Sequence, residues 1–157
     1  IQSNKTQTIA RLFDWVHSVD RIKVAKRLSD QRPVDMPPLN ICLQVNVDNE
    51  QDKSGFDIDH ISAAVVEING LPRLQLRGLM AIPAQSANVA DQRDSFSRMR
   101  TLFESEKEAM ESVNDQTLFD TLSMGMSADL EPAIAEGATI VRVGTDIFGP
   151  RDWSAQN

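Results

Sequence analysis

Apolar positions along this chain follow two alternating rhythms, one with helical spacing and one made of short, nearly continuous runs. Ser3 or Asn4 suits the N-cap of a first helix, with Ile9, Leu12 and Phe13 on its buried side. Trp15-Val16-His17-Ser18-Val19 then reads as a short strand. Asp20 is expected to cap a helix to about Gln31, with Ile22, Ala25 and Leu28 inward and Lys23, Lys26 and Arg27 outward. After the proline-rich connection over 32–38, residues 39–47 form a long β-branched run that predicts a central strand. Ile58, Ile61, Val65 and Ile68 recur at helical spacing up to Asn69-Gly70, and a further strand is expected over 74–82. The longest helix is expected over 91–113, with Phe96, Met99, Phe103 and Met110 as its buried stripe. A fourth strand over 118–123, a short helix from Ser127 or Asp129 to Gly137, and a fifth strand over 139–143 complete the pattern.

Strand and helix in strict alternation predict an α/β fold built from parallel βαβ units. A doubly wound sheet and a TIM-type barrel fit the rhythm equally well. The 157 residues suffice for one domain with a sizeable core. A net charge of -7 without a basic run argues against nucleic acid as a partner. No apolar stretch approaches the roughly 20 residues that span a bilayer. The lone Cys42 cannot form an internal disulfide and agrees with a reducing compartment. The start, Ile1-Gln2-Ser3-Asn4, has neither the basic opening nor the apolar core of a signal peptide, so a cytoplasmic protein is expected. An isoleucine in first place is expected to mark a truncation.

In parallel α/β folds ligands gather where the strands end. Ser123-Met124-Gly125-Met126-Ser127 follows the expected fourth strand, and Gly144-Thr145 follows the fifth. Glycines that let backbone amides approach, together with serine and threonine hydroxyls, suit a phosphate group. Read as local structure, Ser127 is only an N-cap and the glycines only turn residues. Arg142 lies in an apolar strand, where it either faces solvent or enters a site and needs a partner there. Asp48, Glu50, Asp52 and Ser54 imitate the early ligands of a calcium loop. Lys53 stands where such a loop needs glycine, however, and Asp59 where it needs glutamate. His17 and His60 are too isolated for a zinc site, and no nucleophile elbow or Walker loop is present.

Five segments occur in an order and spacing that resemble the pyridoxal-phosphate homeostasis family (YggS/PROSC), whose members are similar to the N-terminal barrel of alanine racemase. They are Gln2-Ser3-Asn4-Lys5, Lys53-Ser54-Gly55, Arg77-Gly78-Leu79-Met80-Ala81-Ile82-Pro83, Leu122-Ser123-Met124-Gly125-Met126-Ser127-x-Asp129 and Val141-Arg142-Val143-Gly144-Thr145-x-Ile147-Phe148-Gly149. The likeness runs from Ile1 to about Trp153. It implies a single-domain TIM-type (β/α) barrel that holds pyridoxal 5'-phosphate (PLP) without defined catalysis and buffers or delivers it. On the matching positions, Ser123, Met126 and Ser127 would hold the phosphate from one side, and Gly144 and Thr145 from the other. Arg142 would lie near the pyridine nitrogen, and Met80 would line the pocket.

The resemblance also implies that a preceding stretch, with the Schiff-base lysine, is missing. Lys5 and Lys53 match family positions other than that lysine, and Lys23, Lys26 and Lys107 look like solvated helix residues. The five strands then correspond to strands four to eight of a (β/α)8 barrel. Such an incomplete barrel is expected to have two open edges, an exposed apolar inner face and a tendency to self-associate. PLP binding by this chain alone is expected to be weak and non-covalent, or absent. Two other readings stand beside the cofactor carrier. One is a fragment of a racemase-like PLP enzyme, which the complete absence of tyrosine disfavours. The other is a structural fragment that binds nothing.

Overall fold

The computed structural model describes residues 1–114 and 117–149; the stretch of the family resemblance from Pro150 to Trp153 lies outside them. Its elements in chain order are α1 (Thr6–Leu12), β1 (Trp15–Val19), α2 (Ile22–Gln31), β2 (Leu39–Val45), a 3-10 turn (Ile58–His60), α3 (Ile61–Asn69), β3 (Leu74–Ala81), α4 (Val89–Val113), β4 (Thr121–Met126), α5 (Leu130–Ala135), β5 (Ile140–Arg142) and α6 (Thr145–Phe148). All strand pairs are parallel, in the order β1-β2-β3-β4-β5.

The alternation along β2 separates the two faces of the sheet. Leu39, Ile41, Leu43 and Val45 are buried under the helices, whereas Asn40 and Gln44 are only half-buried on the opposite face. Val24, Ala25 and Leu28 of α2, Ile61, Val65 and Ile68 of α3, and Phe96 and Met99 of α4 cover the apolar side. The other side is concave. His17 on β1 approaches Ser123 on β4 to 3.0 Å, although two strands lie between them. In a flat sheet those strands would stand roughly 14 Å apart, beyond the reach of the two side chains. The sheet is therefore curled, as five strands of an incomplete barrel.

Two glycines permit this packing. Gly78 has φ +151°, and a Cβ there would lie 1.9 Å from the Thr121 carbonyl oxygen. Only glycine lets β4 approach at this point, beside the irregularity where β3 slips relative to β2. Gly125 has φ +91°, and a Cβ there would meet the Ala133 Cβ at 2.4 Å, so its absence seats α5 on β4.

Several expectations need correction. Leu12 and Phe13 are exposed, and α1 instead buries Thr6 and Ala10. The cause is Arg32: its Nη1 donates to the carbonyls of Ala10 and Phe13, which fixes how the end of α1 is turned. Asp20 does not cap α2; it is buried and accepts a hydrogen bond from Arg21. The fourth strand begins at Thr121 and runs through Met126, past its expected end, while Leu118 lies before it, exposed. The inner face is not apolar. Trp15, His17, Asn40, Gln44, Arg77, Ser123 and Arg142 share it, because period-two alternation leaves polar residues on the side away from the helices.

Candidate functional site

The site is built where β3, β4 and β5 end. Arg142, at the end of β5, reaches across both neighbours. Its Nη1 donates to the Ser123 carbonyl at 3.1 Å and to Ser123 Oγ at 2.8 Å, and its Nη2 donates to the Ala81 carbonyl at 2.9 Å. Among the described residues no carboxylate lies within ion-pair distance of this guanidinium. Burial lowers its pKa, with the field of Asp129 and then of Cys42 opposing the shift. Met80 is buried on the same face, in register with Ser123.

His17 completes this group on the far wall, with Nδ1 3.0 Å from Ser123 Oγ. Burial lowers its pKa first, and the Arg142 charge adds to the shift. Sequence reasoning set His17 aside as a lone histidine. Alternation was the available signal: His17 and Trp15 fall on the face opposite the buried Val16. Deeper in the concavity Arg77 donates to Asp120 at 2.6 and 3.0 Å and to Asn40 Oδ1 at 3.0 Å, and lies 4.7 Å above the Trp15 ring. Cys42, buried nearby, has its thiol pushed up to about 12, chiefly by burial.

The loops beyond the strand ends form a second cluster. Met126 and Arg142 are register partners, so the two following turns lie side by side. Ser127 Oγ accepts from the Gly144 N–H at 3.1 Å and from the Asp146 N–H at 3.4 Å. The Met126 N–H donates to Asp129 Oδ1 at 2.6 Å. The amides of Met126 and Gly144, at positions where the family resemblance implies phosphate contacts, are thus already engaged inside the loops. Ser127 keeps its own proton to donate, since both of its lone pairs are taken. Thr145 opens α6 and is exposed, and a Cβ added at Gly144 would meet nothing within 4 Å.

The structure therefore joins Ser123, Arg142 and Met80 in one group, and Ser127 and Gly144 in a neighbouring one. None of the five lysines is bonded to either. Lys26 pairs with Glu67, Lys53 with Glu50 and the Pro83 carbonyl, and Lys107 with Glu111, while Lys5 and Lys23 are exposed.

A polar concave face, an arginine clamp at the strand ends and paired loops beyond them suit an α/β barrel that binds its ligand at the C-terminal rim. The family model described as "Alanine racemase, N-terminal domain" matches residues 1–152. The chain belongs to that family. Within the alanine racemase N-terminal domain family, one relative is the pyridoxal phosphate homeostasis protein of Pseudomonas aeruginosa, 54% identical over 156 residues. The alignment covers 99% of this chain and 64% of that relative, so the chain spans just under two thirds of its length. Among solved structures, PipY of Synechococcus elongatus without PLP superposes with a TM-score of 0.83 at 36% identity, covering 95% of this chain and 67% of PipY. PipY with PLP bound gives 0.79 at 34%, with the same coverage. The incomplete barrel of this chain is thus the arrangement found across most of PipY. No helix among the described residues is long and apolar enough to cross a membrane.

Proposed function

We propose that this chain is the C-terminal part of a cytoplasmic PLP-binding (β/α)8 barrel that takes part in PLP homeostasis by buffering or delivering the cofactor. The observation that carries the reading is the Arg142 clamp on Ser123 and Ala81, set beside a loop pair whose Ser127 has only its proton left to offer. The names of the Pseudomonas relative and of the PLP-bound PipY point the same way.

The donor set fits the group. Ser127 would donate to the phosphate, Gly144 leaves open room over its turn, and Thr145 supplies a further hydroxyl there. Arg142, with no carboxylate partner and facing the same rim, would meet the pyridine nitrogen and leave it unprotonated, with Met80 and Ser123 beside it. PLP otherwise acts as an electron sink, and an arginine at that nitrogen weakens this capacity, which suits carriage better than catalysis. With no lysine at either cluster, binding by this chain alone is non-covalent. The net charge of -7, without a basic run, argues against nucleic acid as a partner. The outer edges of β1 and β5, unpaired among the described residues, favour self-association of the chain.

An absorbance titration with PLP, followed by borohydride reduction and intact mass, tests this. Weak, phosphate-dependent binding without a reduced adduct is expected. Ser127→Ala should weaken it about tenfold, the loss of one hydrogen bond to a charged group. A stoichiometric adduct on one lysine, or no difference between PLP and pyridoxal, would overturn the reading.

A further inference from the structure

Ser123 is fully buried, and its hydroxyl has two neighbours, Arg142 and His17. A guanidinium can only donate, so Arg142 Nη1 occupies one lone pair of Ser123 Oγ. The hydroxyl proton then needs an acceptor, because a buried unsatisfied donor is costly. Among the described residues the group in position to accept it is His17 Nδ1, at 3.0 Å. His17 must therefore be neutral with its proton on Nε2. The chain of donation runs from Arg142 to Ser123 to His17.

We infer that His17 is a positioning residue for Arg142, acting through Ser123, and that it works only in its neutral, Nε2-protonated form. This rests on the reading of Arg142 as a ligand-facing group. Protonated, His17 would have to donate from Nδ1 to Ser123, leaving the serine proton buried without an acceptor and placing a second cation against Arg142. The arginine would then be held across the ends of β3 and β4 by the Ser123 and Ala81 carbonyls alone, without the hydroxyl that fixes its orientation. The charged groups around the pair are Arg142 on β5, Arg77 on β3, Asp120 before β4 and Asp129 before α5, with the Cys42 thiol neutral on β2. Of these it is Arg142 that acts on His17, and it favours the neutral form, as does the histidine's burial.

The test uses the full chain in two arms. Nitrogen-15 NMR of His17 reads tautomer and titration directly. His17 should show an unprotonated Nδ1 at pH 7 and titrate below the ordinary histidine value, and Ser123→Ala should abolish its tautomer preference. A protonated Nδ1, or a cationic His17 at pH 7, would overturn the inference, and this arm does not depend on PLP binding at all. In the second arm PLP affinity is measured from pH 7.5 to 5.5. His17→Leu, which removes the acceptor, should bind about tenfold more weakly throughout. His17→Asn, whose amide oxygen can stand in for Nδ1, should bind more tightly than His17→Leu and respond less to pH than the parent chain. Equal behaviour of His17→Asn and His17→Leu would overturn the positioning role. Ionisation of the cofactor itself is common to all three proteins and cancels in the comparison. Absence of PLP binding in the parent chain would sink the functional reading alone and leave the tautomer result to decide this one.

Discussion

Gly78 illustrates how one residue sets the shape of the site. A side chain there would occupy the space of the Thr121 carbonyl, 1.9 Å from the built Cβ, at a φ that L residues seldom adopt. Its neighbour Arg77 turns into the concavity and ties β2, β3 and the start of β4 together through Asn40 and Asp120. Gly78→Ala is expected to cost about 3 kcal/mol, strain and overpacking combined, as measured by urea denaturation. A loss below 1 kcal/mol would show that β4 moves away freely. The same residue shows what a sequence reveals about a site. Arg77-Gly78 stands out as part of a motif, but the need for glycine arises from a strand 43 residues further on.

Among the elements, the attachment of α4 to the sheet depends on Asp48, just beyond β2. Its carboxylate accepts from the Ala84 N–H at 2.6 Å, from Ser95 Oγ at 2.7 Å and from Arg98 at 2.5 Å, while Arg98 also reaches the Val47 carbonyl at 2.7 Å. Burial pushes the pKa of Asp48 up, but these hydrogen bonds and the Arg98 charge outweigh it and hold the group below the usual carboxylate range. A carboxyl depressed on folding contributes stability that is present above its unfolded pKa and lost as pH falls through the folded one. Stability should therefore decline as pH drops below about 4, and Asp48→Asn should flatten that decline while lowering stability at pH 7. Thermal melts of both proteins between pH 7 and 3 check this. Parallel curves would assign the acid response to other carboxylates, of which Asp120 is the next, since its bonds to Arg77 likewise outweigh burial and depress it. In the sequence this aspartate looked like the start of a calcium loop; its part as a clamp depends on a helix that begins 41 residues later.

At the scale of the molecule, β1 and β5 are the outer strands of the curled sheet, each with one edge unpaired among the described residues, and its concave face carries charge and hydrogen-bonding groups. A polar concavity disfavours non-specific collapse, so association should run through the edges and stay of low order. Sedimentation velocity over a hundredfold concentration range should show a reversible shift from monomer to dimer. A lysine at Ser18 on β1 should weaken it, whereas unlimited aggregation would mean that apolar surface, not strand edges, drives the contact.

The five strands, the five helices before the last strand and the parallel α/β class were legible in the sequence, along with the loops worth inspecting, because hydrophobic periodicity and turn residues are local signals. Ala25, Leu28, Ile41, Leu43, Phe96 and Met99 were readable as core for the same reason. The 3-10 turn and α6 were not legible in this way. The tertiary structure alone decided how far the sheet curls, and with it the meeting of His17 and Ser123 across two strands. It also decided that Ser127 gives its lone pairs to the Gly144 loop and that Arg32 turns Leu12 and Phe13 outward. These are pairings between residues 17 to 106 positions apart. Hydrogen-bond geometry across such separations is set by strand curvature and packing, which no local pattern of apolar and polar residues encodes.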